Sequence, residues 1–192
     1  MKQKGFTLIE LLVVIAIIGI LATVVTVSLN SARKKARDTK RLSDVKAIVT
    51  ALEMYYDVNQ NHYPGSTSSY GEAEAGCGGW DTSTVDNDGD GKFFIEPLQD
   101  GSFLSKVPQD PVGGSTCGGS YAYRYYLYPA GYMGCTAARG NFFILGINDL
   151  ESTSGAYPSS PGWRCPENCT PDVDCQRDWQ TEFEWVTGQF EQ

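Results

Sequence analysis

The longest apolar stretch of the chain lies near its start, where nineteen residues from Leu11 to Leu29 pass without a charge. As a helix rising about 1.5 Å per residue they reach roughly 28 Å, close to the thickness of a bilayer's hydrocarbon core. The pattern then changes. Leu42, Val45, Val49, Leu52 and Tyr56 recur at three- and four-residue steps, the single apolar stripe of an amphipathic helix. That stripe is too short for a coiled-coil seam and is expected to pack on its own domain. No proline interrupts residues 6–63, so one helix is predicted through both segments, ending near Asn59-Gln60-Asn61 ahead of Tyr63-Pro64.

Further on the period becomes two. The tyrosines of Tyr121-Ala122-Tyr123-Arg124-Tyr125 alternate as in a half-buried strand, and Asn141–Ile147 reads as a second apolar strand. Residues Tyr121–Tyr128 and Asn141–Ile147 are expected to pair antiparallel across a long loop. Pro108 and Pro111 force a non-helical entry to the first of them. The predicted class is α+β: one long N-terminal helix packed on a small antiparallel sheet, with a loop-rich, disulfide-bonded C-terminal region. Residues 65–102 form an insertion rich in Gly, Ser and acids, and residues 152–192 a tail holding Trp163, Trp179 and Trp185. The sequence says least about these two stretches.

Charge divides the chain. Residues 1–41 carry a balance of +6 and residues 42–192 a balance of −14, for a net −8 over 192 residues. An acidic head argues against a nucleic-acid partner, whose phosphates need clustered cations. The basic run Arg33, Lys34, Lys35, Arg37, Lys40 and Arg41 is expected to be a solvated or lipid-headgroup-facing surface. By charge count alone that end of the span would face the cytoplasm. The six cysteines, Cys77, Cys117, Cys135, Cys165, Cys169 and Cys175, all lie beyond the span and argue for an oxidising compartment on that side. Their even number reads as disulfides. If all six are oxidised within one chain, parity requires at least one bridge between the body group (77, 117, 135) and the tail group (165, 169, 175).

For catalysis the inventory is poor. His62 is the lone histidine, and no phosphate-binding glycine loop or dinucleotide fingerprint follows a strand, so no enzyme is expected. Asp86-Asn87-Asp88-Gly89-Asp90-Gly91 has the alternate acids of the first half of a calcium loop, with glycine at the sharp turn. The twelfth position is Pro97 rather than a bidentate Glu, so an EF-hand is not expected. A looser Ca2+ site on Asp86, Asp88 and Asp90 stands beside the plainer reading of a solvated acidic turn. Asp172, Asp174 and Asp178 in the tail are further acids, more simply read as surface charge.

Glu10 sits at the edge of the apolar run, where a carboxylate needs a partner. Its context, Gly5-Phe6-Thr7-Leu8-Ile9-Glu10 behind a short leader with Lys2 and Lys4, resembles the processing site of type IV prepilins and type II secretion pseudopilins. One departure is the lack of the proline that many members carry late in this segment, near Val27 here. The run Phe103-Leu104-Ser105-Lys106-Val107-Pro108-Gln109-Asp110-Pro111, the Tyr-x-Tyr strand after it, and Asn61-His62-Tyr63-Pro64 are similar to the major pseudopilins.

The resemblance implies a pilin-like fold, cleavage after Gly5 by a prepilin peptidase, and methylation of Phe6. It also implies a charge pair between Glu10 and the Phe6 amine of a neighbouring subunit, with the Phe6 amine of the same chain as the alternative partner. Residues 1–5 would be the leader, 6–30 the membrane and filament-core helix, 31–60 its amphipathic continuation, 61–151 the head, and 152–192 the tail. The implied function is a structural subunit that polymerises for type II-like secretion, with prepilin peptidase, an inner-membrane assembly platform and other pseudopilins as partners. It would stand in the cytoplasmic membrane as a single span with its head outside the cytoplasm, and in an extracytoplasmic filament once assembled. The alternatives are a surface type IV pilin or minor pilin for adhesion, motility or DNA uptake, and, from another class, a membrane-anchored calcium-dependent adhesin that does not polymerise. The family also implies calcium in a loop after the last strand, at Asn148, Asp149 and Glu151 here.

Overall fold

The computed structural model describes residues 5, 7–65, 79–84, 94–113, 121–165 and 177–191. One helix, α1, runs from Leu8 to Val58. Thr7 begins it with extended backbone, and its hydroxyl oxygen accepts from the Glu10 amide at 3.3 Å. The Glu10 carboxylate reaches back to the Thr7 amide at 2.8 Å, so two of the helix's first unpaired donors are satisfied reciprocally. At the other end Asn59 donates its backbone N–H to Tyr55 and Tyr56, and Gln60 and Asn61 take positive φ, which stops the helix where the sequence indicates.

Among the described residues four strands follow in a simple antiparallel meander of order β1-β2-β3-β4: β1 Asp81–Thr82, β2 Tyr123–Tyr128, β3 Phe142–Ile147 and β4 Trp185–Phe190. A short helix, α2 (Glu96–Asp100), stands between β1 and β2. The expected β2–β3 pairing is present, with Tyr123 opposite Ile147 and Tyr128 opposite Phe142. Strands β1 and β4 extend the sheet on either side, Asp81 facing Tyr125 and Phe142 facing Phe190. Both come from the stretches in which no element was predicted.

The sheet is covered on both faces. Val45, Ile48, Ala51 and Leu52 of α1 pack on one face against Tyr123, Tyr125, Phe143, Leu145 and Ile147. On the other face Phe142, Ile144, Val186 and Phe190 meet Trp80, Trp179 and Phe183. Alternate side chains of β3 therefore enter different cores, and all six of its residues are buried. The tail makes this second core possible, since Trp163 stacks on Phe142 with ring centroids 4.8 Å apart. A disulfide between Cys135 and Cys165 fastens the tail to the body at the edge of that core. Gly188 of β4 allows the tight approach of its neighbour strand, since a Cβ there would lie 2.5 Å from the Phe143 carbonyl oxygen.

Candidate assembly site

Among the described residues the first half of α1 has nothing to pack on. Every residue from Thr7 to Ala36 is exposed, and the eighteen-residue window that qualifies as a membrane span has none of its residues buried. Large apolar side chains such as Ile9, Leu12, Ile18 and Leu21 remain more than half accessible. An apolar rod of this length is stable only in lipid or against other apolar helices. Glu10 stands one turn from its tip, and its Oε2 accepts from both the amide and the hydroxyl of Thr7 at 2.8 Å. Gly5, the residue before the expected cut, has open space around it. Phe6 lies outside the described residues.

Where the rod meets the head, the basic run behaves differently from the expectation of a solvated or headgroup-facing surface. Arg33, Lys34 and Lys35 are exposed, but Arg41 has no accessible surface and Arg37 is partly covered. The reason is a set of carboxylates supplied by the head. Arg41 donates through Nε to Asp110 Oδ2 at 2.6 Å and through Nη2 to Asp110 Oδ1 at 3.2 Å. Its Nη1 donates to Asp38 Oδ1 at 2.7 Å and to Glu151 Oε1 at 2.8 Å. Arg37 holds Glu151 from the other side, through Nε at 2.6 Å and through Nη2. The Tyr121 ring closes the cluster, 4.6 Å from the Arg41 guanidinium carbon.

These contacts shift the groups' acidity. Hydrogen bonds from Arg37, offset in part by burial and reinforced by Arg41, hold the Glu151 carboxyl at about 2. Burial would raise Asp38, but hydrogen bonds from Ser152, Glu151 and Arg41 outweigh it and keep Asp38 below its ordinary value. Burial likewise favours the neutral form of Arg41, and its bonds to Asp110 and Glu151 reverse that, so the guanidinium is held more firmly charged than in water.

The head's own loops converge on the same region. Asp110, the acid of the Pro-Gln-Asp-Pro motif, also accepts from the Val112 amide at 2.8 Å. Next to the cluster Lys40 pairs with Asp44 at 2.9 Å, and the Tyr123 hydroxyl donates to Asp44 at 3.0 Å. At the opposite end of the head, Glu191, just after β4, accepts from the Tyr63 amide at 2.7 Å and from Asn141 Nδ2 at 2.7 Å. His62 approaches the same carboxylate through Nδ1 at 3.2 Å, so the lone histidine is a structural contact between the end of α1 and β4.

Asp86, Asp88 and Asp90 lie outside the described residues, as do Asp172, Asp174, Cys77, Cys117, Cys169 and Cys175. Asp178 caps the turn at Trp179–Thr181, accepting from the Gln180 amide. Among the described residues no group of three or more His, Cys, Asp or Glu is arranged to hold a metal.

A long capped helix, apolar in its first half and packed on an antiparallel sheet in its second, is the architecture of the pilin-like proteins. Residues 1–26 match the family profile of the prokaryotic N-terminal methylation motif. The chain is 31% identical over 164 residues to the type II secretion system core protein G of Vibrio cholerae serotype O1, covering 84% of this chain and 92% of that protein. It is 35% identical over 112 residues to the core protein G of Aeromonas hydrophila, covering 58% of this chain and 69% of that one. With the Escherichia coli K12 core protein G the identity is 48% over 63 residues, 33% of this chain and 43% of that one. The chain belongs to the type II secretion system core protein G family, the major pseudopilins. No solved structure matches it significantly.

Proposed function

We propose that this chain is a structural, non-catalytic subunit that is cut after Gly5, methylated on Phe6 and polymerised through the apolar half of α1 into a filament serving type II-like secretion. The observation that carries this reading is the fully exposed apolar rod with Glu10 at its tip. Before assembly the rod lies in the cytoplasmic membrane with the head outside the cytoplasm, the side on which a Cys135–Cys165 disulfide is stable. After assembly the same surface packs against the rods of other copies, and the heads form the outside of the filament. Prepilin peptidase, an inner-membrane platform and other pseudopilins are the partners that such a route requires.

Two measurements test this together. Mass spectrometry of protein from cells holding the peptidase should find a mature chain starting at Phe6 and heavier by one methyl group. Electron microscopy of sheared material should find filaments containing it. An intact Met1 terminus, or a processed chain that never enters filaments, would overturn the reading. The acids Asp86, Asp88 and Asp90 are proposed as calcium ligands on their spacing alone, and loss of a calcium-induced rise in melting temperature in Asp88→Ala would support them.

A further inference from the structure

The resemblance implies calcium at Asn148, Asp149 and Glu151, and the loop 148–155 that holds them, between β3 and β4, does not fit a cation. Its amide donors point at carboxylates. Leu150 N and Gly155 N donate to Glu184 at 2.6 and 2.7 Å, and Thr153 Oγ1 joins them at 3.2 Å. Glu151 N and Ser152 N donate to Asp38 at 2.9 and 2.8 Å. A loop wrapped in this way around two carboxylates presents N–H groups inward, which repel a cation and cradle an anion. Of the three residues expected as ligands, Glu151 is bound by two guanidinium groups and Asp149 is exposed to solvent. Asn148 Oδ1 is buried with no hydrogen-bond partner among the described residues, but one oxygen falls far short of the 6–8 that calcium takes.

The oxygens that do converge belong to Asp38, Asp110 and Glu151, and the charge at their centre is the guanidinium of Arg41. We infer that in this chain Arg41, assisted by Arg37, is the resident cation against the loop after β3, where the resemblance implies a metal ion. A guanidinium suits the task because it is planar, always charged, and meets several carboxylates through a fixed fork of donors. Carried on α1, this cation also ties the helix to both head loops at once. The consequence is a head whose post-β3 loop keeps its shape when calcium is removed.

Hydrogen exchange on the full chain in detergent, read by mass spectrometry on peptides covering 148–155, tests this. Peptides covering 86–91 are read separately, so ligation by Asp86, Asp88 and Asp90 does not enter the result. In the wild type, protection of the loop should agree within about twofold between a chelator and millimolar calcium, as expected when no ligand is linked to its opening. In the chelator, Arg41→Gln should lose roughly tenfold or more of that protection, because buried Asp38 and Asp110 then have no cation and Glu151 keeps only Arg37. Where Arg41→Gln fails to fold, Glu151→Gln leaves Arg41 with Asp38 and Asp110 and should show a loss confined to the same peptides. A gain of roughly tenfold with calcium in the wild type would overturn the inference. So would wild-type protection in Arg41→Gln, or in Glu151→Gln where that variant replaces it.

Discussion

Arg41 Nε donates to Asp110 Oδ2 at 2.6 Å, joining the middle of α1 to the centre of the Pro-Gln-Asp-Pro motif 69 residues later, with both side chains almost wholly buried. The two prolines hold the segment out of helical conformation, and the acid between them grips the stalk. Arg41→Met should therefore leave Asp38 and Asp110 buried without a cation and lower head stability by about 3–5 kcal/mol. Arg41→Lys should fall between, since a lysine cannot reproduce the forked contact with Asp110. Denaturant unfolding followed by tryptophan fluorescence measures both. Equal stability of Arg41→Met and wild type would mean that the cluster contributes nothing.

The same cluster sets an acid limit. The folded state holds Glu151 at about 2 against an ordinary value of 4.5, and Asp38 is also lowered. A carboxyl depressed on folding stabilises the native state above its unfolded value and stops doing so as pH falls through its folded value. The melting temperature should accordingly decline between about pH 4.5 and pH 2. Glu151→Gln should start lower at neutral pH and show a flatter decline over that window. An unchanged slope in Glu151→Gln would assign the acid sensitivity to other carboxylates.

Much of this fold is legible in the residue pattern, and the parts that are not share a cause. The stripe at Leu42, Val45, Val49, Leu52 and Tyr56 marks the packed face of α1 correctly, and the alternation in β2 marks its two faces. Arg37 and Arg41 read as solvated because local sequence shows only a basic run. The acids that bury them stand up to 114 residues away, and no periodicity links such distant positions. Strand β4 has a signal in the β-favouring Trp185-Val186-Thr187 and in Phe190, but Gly188 and the acidic residues around it mask a strand. Glu184 just before β4 shows why the tail matters, since it holds the loop after β3 in place.

The tail's attachment can be measured. Cys135 and Cys165 are 30 residues apart in sequence, and closing a loop of that length restricts the unfolded chain by about 3–4 kcal/mol in the chain-entropy account. The pair variant Cys135→Ala/Cys165→Ala should lose stability on that order, and Trp163 should become more open to quenching as its stack on Phe142 loosens. Peptide mapping without reduction should recover the 135–165 crosslink from the wild type. Free thiols at both positions in protein from the extracytoplasmic side would remove this covalent tie between tail and body.

Glu10 is the position at which assembly and folding can be tested apart. Its Oε2 already completes the helix cap with Thr7, so the carboxylate has a local role as well as the proposed one of pairing with a neighbour's Phe6 amine. Glu10→Gln keeps a carbonyl oxygen for the cap and deletes the charge. Thr7→Ala does the reverse, keeping the charge and costing the helix start about 1 kcal/mol. If the charge pair drives polymerisation, Glu10→Gln should insert in the membrane, fold its head normally and yield few filaments, whereas Thr7→Ala should still assemble. An acid packed among apolar helices must find a cation or take up a proton, which is why the charge rather than the cap is expected to decide. Filament yield from sheared cells, set against the melting temperature of each head, distinguishes the two. Filaments from Glu10→Gln at wild-type yield would refute the charge pair, and their loss in Thr7→Ala alone would make the cap the element on which assembly depends.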